Sequence, residues 1–160
     1  MYTQVDDLCE EVDTSILEAV VALEAVELEE RPGDNDSETQ GCHLALDPAG
    51  RPQPVGLQLF THLYQDQESA LGTFARTKLL GFGMDHVESI DGAWDDGVAM
   101  RKSDRTSVEI LVVIRHQTLV LVVTLQAWVL PAHQDQRADP KVAQAVVVEF
   151  VEHVRQLMGT

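Results

Sequence analysis

Two runs rich in β-branched residues, Val108 to Arg115 and Leu119 to Leu130, stand three residues apart in this 160-residue chain. Such runs joined by His116-Gln117-Thr118 read as an antiparallel hairpin, so the fold has to be organised around a sheet. In the second run Leu119, Leu121, Val123, Leu125, Ala127 and Val129 are apolar throughout, whereas Val120, Val122, Thr124, Gln126 and Trp128 are mixed. The centre of the sheet is therefore expected to be partly buried on both sides. Arg115, His116 and Gln117 also interrupt the longest apolar stretch, and each half is too short to cross a bilayer as a helix.

The other elements are read around this hairpin. Asp13, Thr14 and Ser15 offer N-cap side chains, and Ile16, Leu17, Val20, Val21 and Leu23 follow at helical spacing, which predicts a short helix over 14–23. An extended piece is expected over 25–28 and a loop over 29–40, whose Arg31 to Glu38 run is polar and without period. Strands are expected at 41–46 and 55–64. In the second, Val55, Leu57, Leu59 and Leu63 alternate with Gln58, Phe60, His62 and Tyr64. A helix is read over 66–80, ending at Gly81, then short strands at 87–90 and 98–102. Asp139 as N-cap and Pro140 at the first helical position open a final helix to Met158. Its stripe is Ala143, Val146, Val147, Phe150, Val151, Val154, Leu157 and Met158, with Gln144, Glu149, Glu152, His153, Arg155 and Gln156 opposite. The expectation is one α+β domain over 1–160 with an acidic loop at about 29–40. Its antiparallel sheet carries helices packed on it in αββαβββα order, sandwich-like.

The formal net charge is −16, from 27 acids against 11 bases. Residues 1–38 hold 13 of those acids and a single base, Arg31, so the acidity is local. A surface this negative repels phosphate backbones and excludes nucleic acid as the expected partner, whereas a basic protein, a small cationic ligand or a divalent cation would be attracted. Met1 to Leu8 has neither a basic n-region nor an apolar h-region. Either the chain is cytosolic or its sequence starts after a removed signal or anchor.

Few residues carry recognisable chemistry. Cys9 and Cys42 are the only cysteines and bracket the most acidic stretch. An even count of two reads more as a staple than as unrelated thiols, with free thiols in a cytosolic protein as the alternative. A Cys42-His43 nucleophile pair fails because adjacent strand residues point to opposite faces. The six histidines, at 43, 62, 86, 116, 133 and 153, show no HxH or HxxxH spacing for a metal. Asp34, Asp36 and Glu38 alternate like the opening of a calcium loop, yet Thr39 and Ala45 stand where an EF-hand needs Gly and Glu; a weak cation or partner contact is the functional reading of these acids and a solvated polar loop the plainer one, and no resident metal or cofactor is expected. Trp94 beside Asp95 and Asp96 could contact a cationic group, with the plugging of a core edge as the plainer role. Ser69, Ser103 and Ser107 lack a nucleophile elbow and Gly81-Phe82-Gly83 is no phosphate loop, so no enzyme is expected.

The segments Asp7-Leu8-Cys9 before the first helix, Gly41-Cys42, Asp91 to Arg101 and the closing helix after Pro140 together resemble a class of actinobacterial cell-envelope domains. These occur in secreted lipoproteins and in the extracellular sensor modules of membrane kinases. The chain departs from that class in having His43 and Leu44 rather than an aromatic after Cys42, and in its heavier acidic charge. The resemblance implies an α+β sandwich outside the membrane, a Cys9–Cys42 disulfide, and binding or sensing instead of catalysis. The expected function is thus a non-enzymatic extracytoplasmic binding or sensor module. The alternative is an intracellular acidic adaptor or secretion-system accessory protein that docks a basic partner and dimerises through the second sheet face.

Overall fold

The computed structural model describes residues 1–20, 23–32, 38–48, 55–81, 83–129, 135 and 137–159, with the backbone alone at 23–32, 38 and 47–48. Helix α1 (Leu8–Glu11) and a 3-10 turn (Thr14–Ala19) lead into β1 (Leu23–Pro32), β2 (Glu38–Pro48) and β3 (Val55–Leu63). Helix α2 (Gln67–Lys78) and the short 3-10 turn Leu79–Gly81 precede β4 (His86–Ser89), β5 (Asp96–Ser103), β6 (Ser107–His116) and β7 (Leu119–Trp128). Helix α3 (Pro140–Met158) closes the chain. The seven strands form one antiparallel sheet in the order β1-β2-β3-β7-β6-β5-β4.

The hairpin that dominates the sequence lies at the centre of the sheet as β6 and β7. Val108, Ile110, Val112 and Ile114 of β6 join Leu119, Leu121, Val123 and Leu125 of β7 on one buried face, continued by Leu57 and Leu59 of β3 and Cys42, Leu44 and Leu46 of β2. Helix α3 covers that face with Ala143, Val147, Phe150, Val151 and Val154, and Leu8, Val12 and Leu17 from α1 and the 3-10 turn extend the cover. On the opposite face, α2 presses Ala70 and Phe74 onto Val98, Met100, Leu111, Val113, Val120 and Val122. Beyond α2 this second face keeps half-buried His43, Gln58, Thr124 and Gln126 and the exposed Trp128. The α+β class, the helices packed on an antiparallel sheet and the two-sided burial at its centre stand as expected.

The start of the chain departs from expectation. The apolar residues after Asp13 form a 3-10 turn ending at Ala19, and a strand begins at Leu23 instead of a helix running to it. Pairing explains this: Val26, β-branched and suited to a pleated surface, and Leu28 lie opposite Leu46 and Leu44 of β2, so a neighbouring edge was there to pair with. Strands β1 and β2 extend through Pro32 and from Glu38, so the described residues of the span 29–40 are paired strand: Glu29 faces His43, Glu30 faces Cys42 and Pro32 faces Gln40. The order is therefore αβββαββββα with a 3-10 turn after the first helix.

Candidate functional site

Leu8 and Cys9 sit in α1, one turn long, whose N-cap Asp7 holds a left-handed backbone at φ 54°. That turn lays Cys9 beside the middle of β2, where Cys42 is buried between Glu30 and Leu59 in the sheet register. The two cysteines are at disulfide-bonding distance, with Cα atoms 5.4 Å apart and a separation of 33 positions in sequence. That separation lies inside the range a disulfide requires. The Gln40 side chain ties the same segment down, donating from Nε2 to the Val5 carbonyl at 2.6 Å while its Oε1 accepts from the Val5 amide at 3.1 Å.

Trp94, Asp95 and Asp96 are brought together at the start of β5, and their side chains serve the fold. The Trp94 indole donates to the Ile90 carbonyl at 3.1 Å and packs against the core edge, where a Cβ at either Gly92 or Gly97 would collide with its ring. Arg115, the cross-strand partner of Asp96, donates to it from Nε at 2.8 Å and from Nη2 at 2.6 Å, and reaches Asp95 from Nη1 at 3.1 Å. Asp95 also accepts from the Gln117 amide at 2.7 Å, which holds the β6–β7 turn where Gln117 adopts φ 55°. An incoming cation would compete with a guanidinium already in place. Of the other acidic candidates, Asp34 and Asp36 lie outside the described residues, and Glu38 is the first residue of β2, with its backbone opposite Leu63.

The described histidines are apart from one another and are engaged in separate contacts that serve the fold. His153 Nε2 accepts from the Asp13 amide at 2.9 Å, fastening the 3-10 turn to α3, and His86 meets Glu88 at 3.3 Å. His62 lies 3.0 Å from the Thr39 hydroxyl and stacks on Tyr64 with ring centroids 6.4 Å apart; burial pushes its pKa down. Among the described residues no three of His, Cys, Asp and Glu converge as metal ligands. His133 lies outside the described residues.

A cleft of about 550 Å³ opens where the start of the chain crosses the ends of β3 and the central hairpin, lined by Met1, Tyr2, Leu63, Tyr64, Gln65, Gln117 and Thr118. Tyr2 pairs with Gly159 past the end of α3, and the Thr3 amide donates to the Met158 carbonyl at 3.1 Å. The Tyr2 hydroxyl stands 2.5 Å from His116 Nδ1 and 3.1 Å from Arg155 Nη1. Arg155 has only donors, so the phenol oxygen accepts from it and the phenol hydrogen can be donated to a neutral imidazole. Glu152 completes the chain by accepting from Arg155 Nε at 2.8 Å and Nη2 at 2.7 Å. That bidentate pair holds the Glu152 carboxyl below the usual range and the Arg155 guanidinium above its own. The phenol is engaged on both sides, so it is a wall of the cleft and a clamp on the chain's start rather than a free nucleophile. The side chains that line the cleft are of uncharged types and able to hydrogen-bond: two phenols, two carboxamides and a threonine hydroxyl, beside Met1 and Leu63.

Sequence reading missed this cleft because no local motif encodes it. Tyr2, Gln65, Gln117 and Arg155 are scattered through the chain, and the only signal was a tyrosine at an otherwise polar start. No family model matches the chain, and no curated protein matches it. Among solved structures it is similar to the crystal structure of a GTP binding regulator from Thermotoga maritima, at 16% identity with a TM-score of 0.35, covering 92% of this chain and 87% of that one. The likeness is too loose to argue from.

Proposed function

We propose that this domain is a non-catalytic binding or sensor module that works outside the cytoplasm, like the actinobacterial envelope domains its segments resemble. The observation that carries the reading is the meeting of Cys9 and Cys42, the chain's only cysteines, at disulfide-bonding distance between the first helix and the second strand. Disulfides persist in oxidising compartments and are rare in reducing ones. Ligand binding is assigned to the cleft beside Tyr2, whose neutral amide, hydroxyl and ring lining suits a small polar ligand with an apolar face. No helix is long and apolar enough to cross a membrane, among the described residues.

The test is thiol alkylation and mass spectrometry of protein directed to an oxidising compartment and prepared without reductant. The expected result is no alkylation and a mass two hydrogens below the reduced chain. Full alkylation of both cysteines in that material would remove the extracytoplasmic reading. A second reading, an intracellular acidic adaptor for a basic partner, is favoured by the placement of the acid-rich β1 sequence at one edge of the sheet. It expects free thiols together with a dimer in light scattering.

A further inference from the structure

The surface at the end of α2 is unlike the rest of this molecule. Leu79 and Leu80 are 73% and 70% exposed, and Val87 of β4 is 55% exposed. They belong together. A Cβ at Gly81 would run into the Met100 thioether, so the Leu79–Gly81 turn is seated on Met100, and Met100 is the cross-strand partner of Val87. Leu71, 49% exposed, lies on α2 eight residues before Leu79, the residue that caps the helix.

Charge follows the same pattern. From Ser69 to Met84 the chain has two bases, Arg76 and Lys78, and no acid, in a protein of net charge −16. Lys102, on the Met100 face of β5, is a third base, but it stands directly opposite Glu109 of β6 and near Asp85, so the net positive charge of this edge comes from Arg76 and Lys78. The acid-rich β1 occupies the opposite edge of the seven-stranded sheet, six strand spacings or about 29 Å away. That distance is roughly three Debye lengths at 0.1 M salt, so the acids of β1 are screened from whatever the α2–β4 edge meets.

We infer that this edge docks on an anionic bilayer surface, with Leu79 and Leu80 entering the headgroup boundary and Arg76 and Lys78 meeting lipid phosphates. The aliphatic area on offer, on the order of 400 Å², is about half of what each partner contributes to a stable protein interface, yet it suits a small tip held by charge. The docking is peripheral and adds no spanning segment. It does not depend on the oxidation state of the cysteines, so its test stands apart from that of the binding-module reading.

The experiment is co-sedimentation of the whole chain with vesicles of phosphatidylcholine alone and of phosphatidylcholine with an equal part of phosphatidylglycerol. Binding to the anionic vesicles should exceed binding to the neutral ones at least tenfold and weaken with salt. The double variant L79S/L80S, whose side chains are largely in solvent, should keep the parent circular dichroism and lose at least tenfold in vesicle affinity. Arg76→Gln and Lys78→Gln should each lose about fivefold. Equal binding to both vesicle types, or retention of binding by L79S/L80S, overturns the inference. So does a concentration-dependent dimer that L79S/L80S abolishes in a chain that ignores vesicles, because the tip would then be a contact between copies.

Discussion

Thr61 shows how a single buried atom can be weighed. It sits in β3 on the face covered by α3, fully buried, and its hydroxyl has no hydrogen-bond partner among the described residues. A lone buried hydroxyl is unfavourable, and valine keeps the branched shape while removing the polar atom. Thr61→Val is therefore expected to raise the unfolding free energy by about 1 kcal/mol in urea titration; a loss of stability would show that the hydroxyl has a partner. The sequence pattern placed Val55, Leu57, Leu59 and Leu63 on the buried face but could not reveal that Thr61, at the same period, is buried without a hydrogen-bond partner among the described residues. Gln144 is the converse. Its place on the polar side of α3 was an expectation from periodicity, yet it is buried, accepting from Arg101 Nη1 at 2.7 Å and donating to Glu88. Its cross-strand partners come from β4 and β5, and a helical period carries no information about them.

At the scale of elements, α3 and the central hairpin were legible because length and period agreed: nineteen residues with a broad apolar stripe, capped by Asp139 and opened by Pro140. The helix is held by its packing more than by propensity, since half of its stripe is valine. Phe150 is its largest fully buried side chain. Phe150→Ala should cost about 3 to 5 kcal/mol in chemical unfolding, and a loss below 1 kcal/mol would mean that α3 is not the main cover of that face. Strand β1 was legible only in part. The extended piece expected over 25–28 lies within it, but Glu29 to Pro32 has no apolar residue to continue the alternation except the proline, and pairing with β2 carries the strand through that run. The first helix is shorter still, at four residues, and stands through its sulfur contact with β2. Cross-linking across 33 residues restricts the unfolded chain by about 3 to 4 kcal/mol in the loop-entropy account. Reduction of the oxidised protein should lower its stability by that order, measured by calorimetry with and without a phosphine reductant. An unchanged melting temperature would detach the pair from the fold's stability.

For the whole molecule two electrostatic effects oppose each other as pH falls. Self-repulsion at a net charge of −16 weakens as carboxylates are neutralised, which favours the folded state. Against it stand the carboxylates that start elements: Asp13 accepts from the Ser15 hydroxyl and amide, Asp66 from the Ser69 amide, and Asp139 from the Val142 and Lys141 amides, while Asp104 accepts from the Thr106 amide in the β5–β6 turn. Each is held below the ordinary aspartate range by these bonds. Folded values below the unfolded ones mean that the unfolded chain binds more protons, so this stabilisation is complete above about pH 4 and is lost as pH drops through the folded values. Repulsion acts between charges spread over the surface and is screened within about 8 Å at 0.15 M salt, whereas a cap bond is a contact and is screened little. In about 0.15 M salt the melting temperature should therefore stay level from pH 7 to pH 5 and decline below pH 4. At low salt, where relief of repulsion offsets more of the loss, the decline should be shallower. A melting temperature that climbs to pH 3 in salt would reverse this order of effects, and the acid-rich front of the chain, not its helix starts, would then govern how the domain responds to acid.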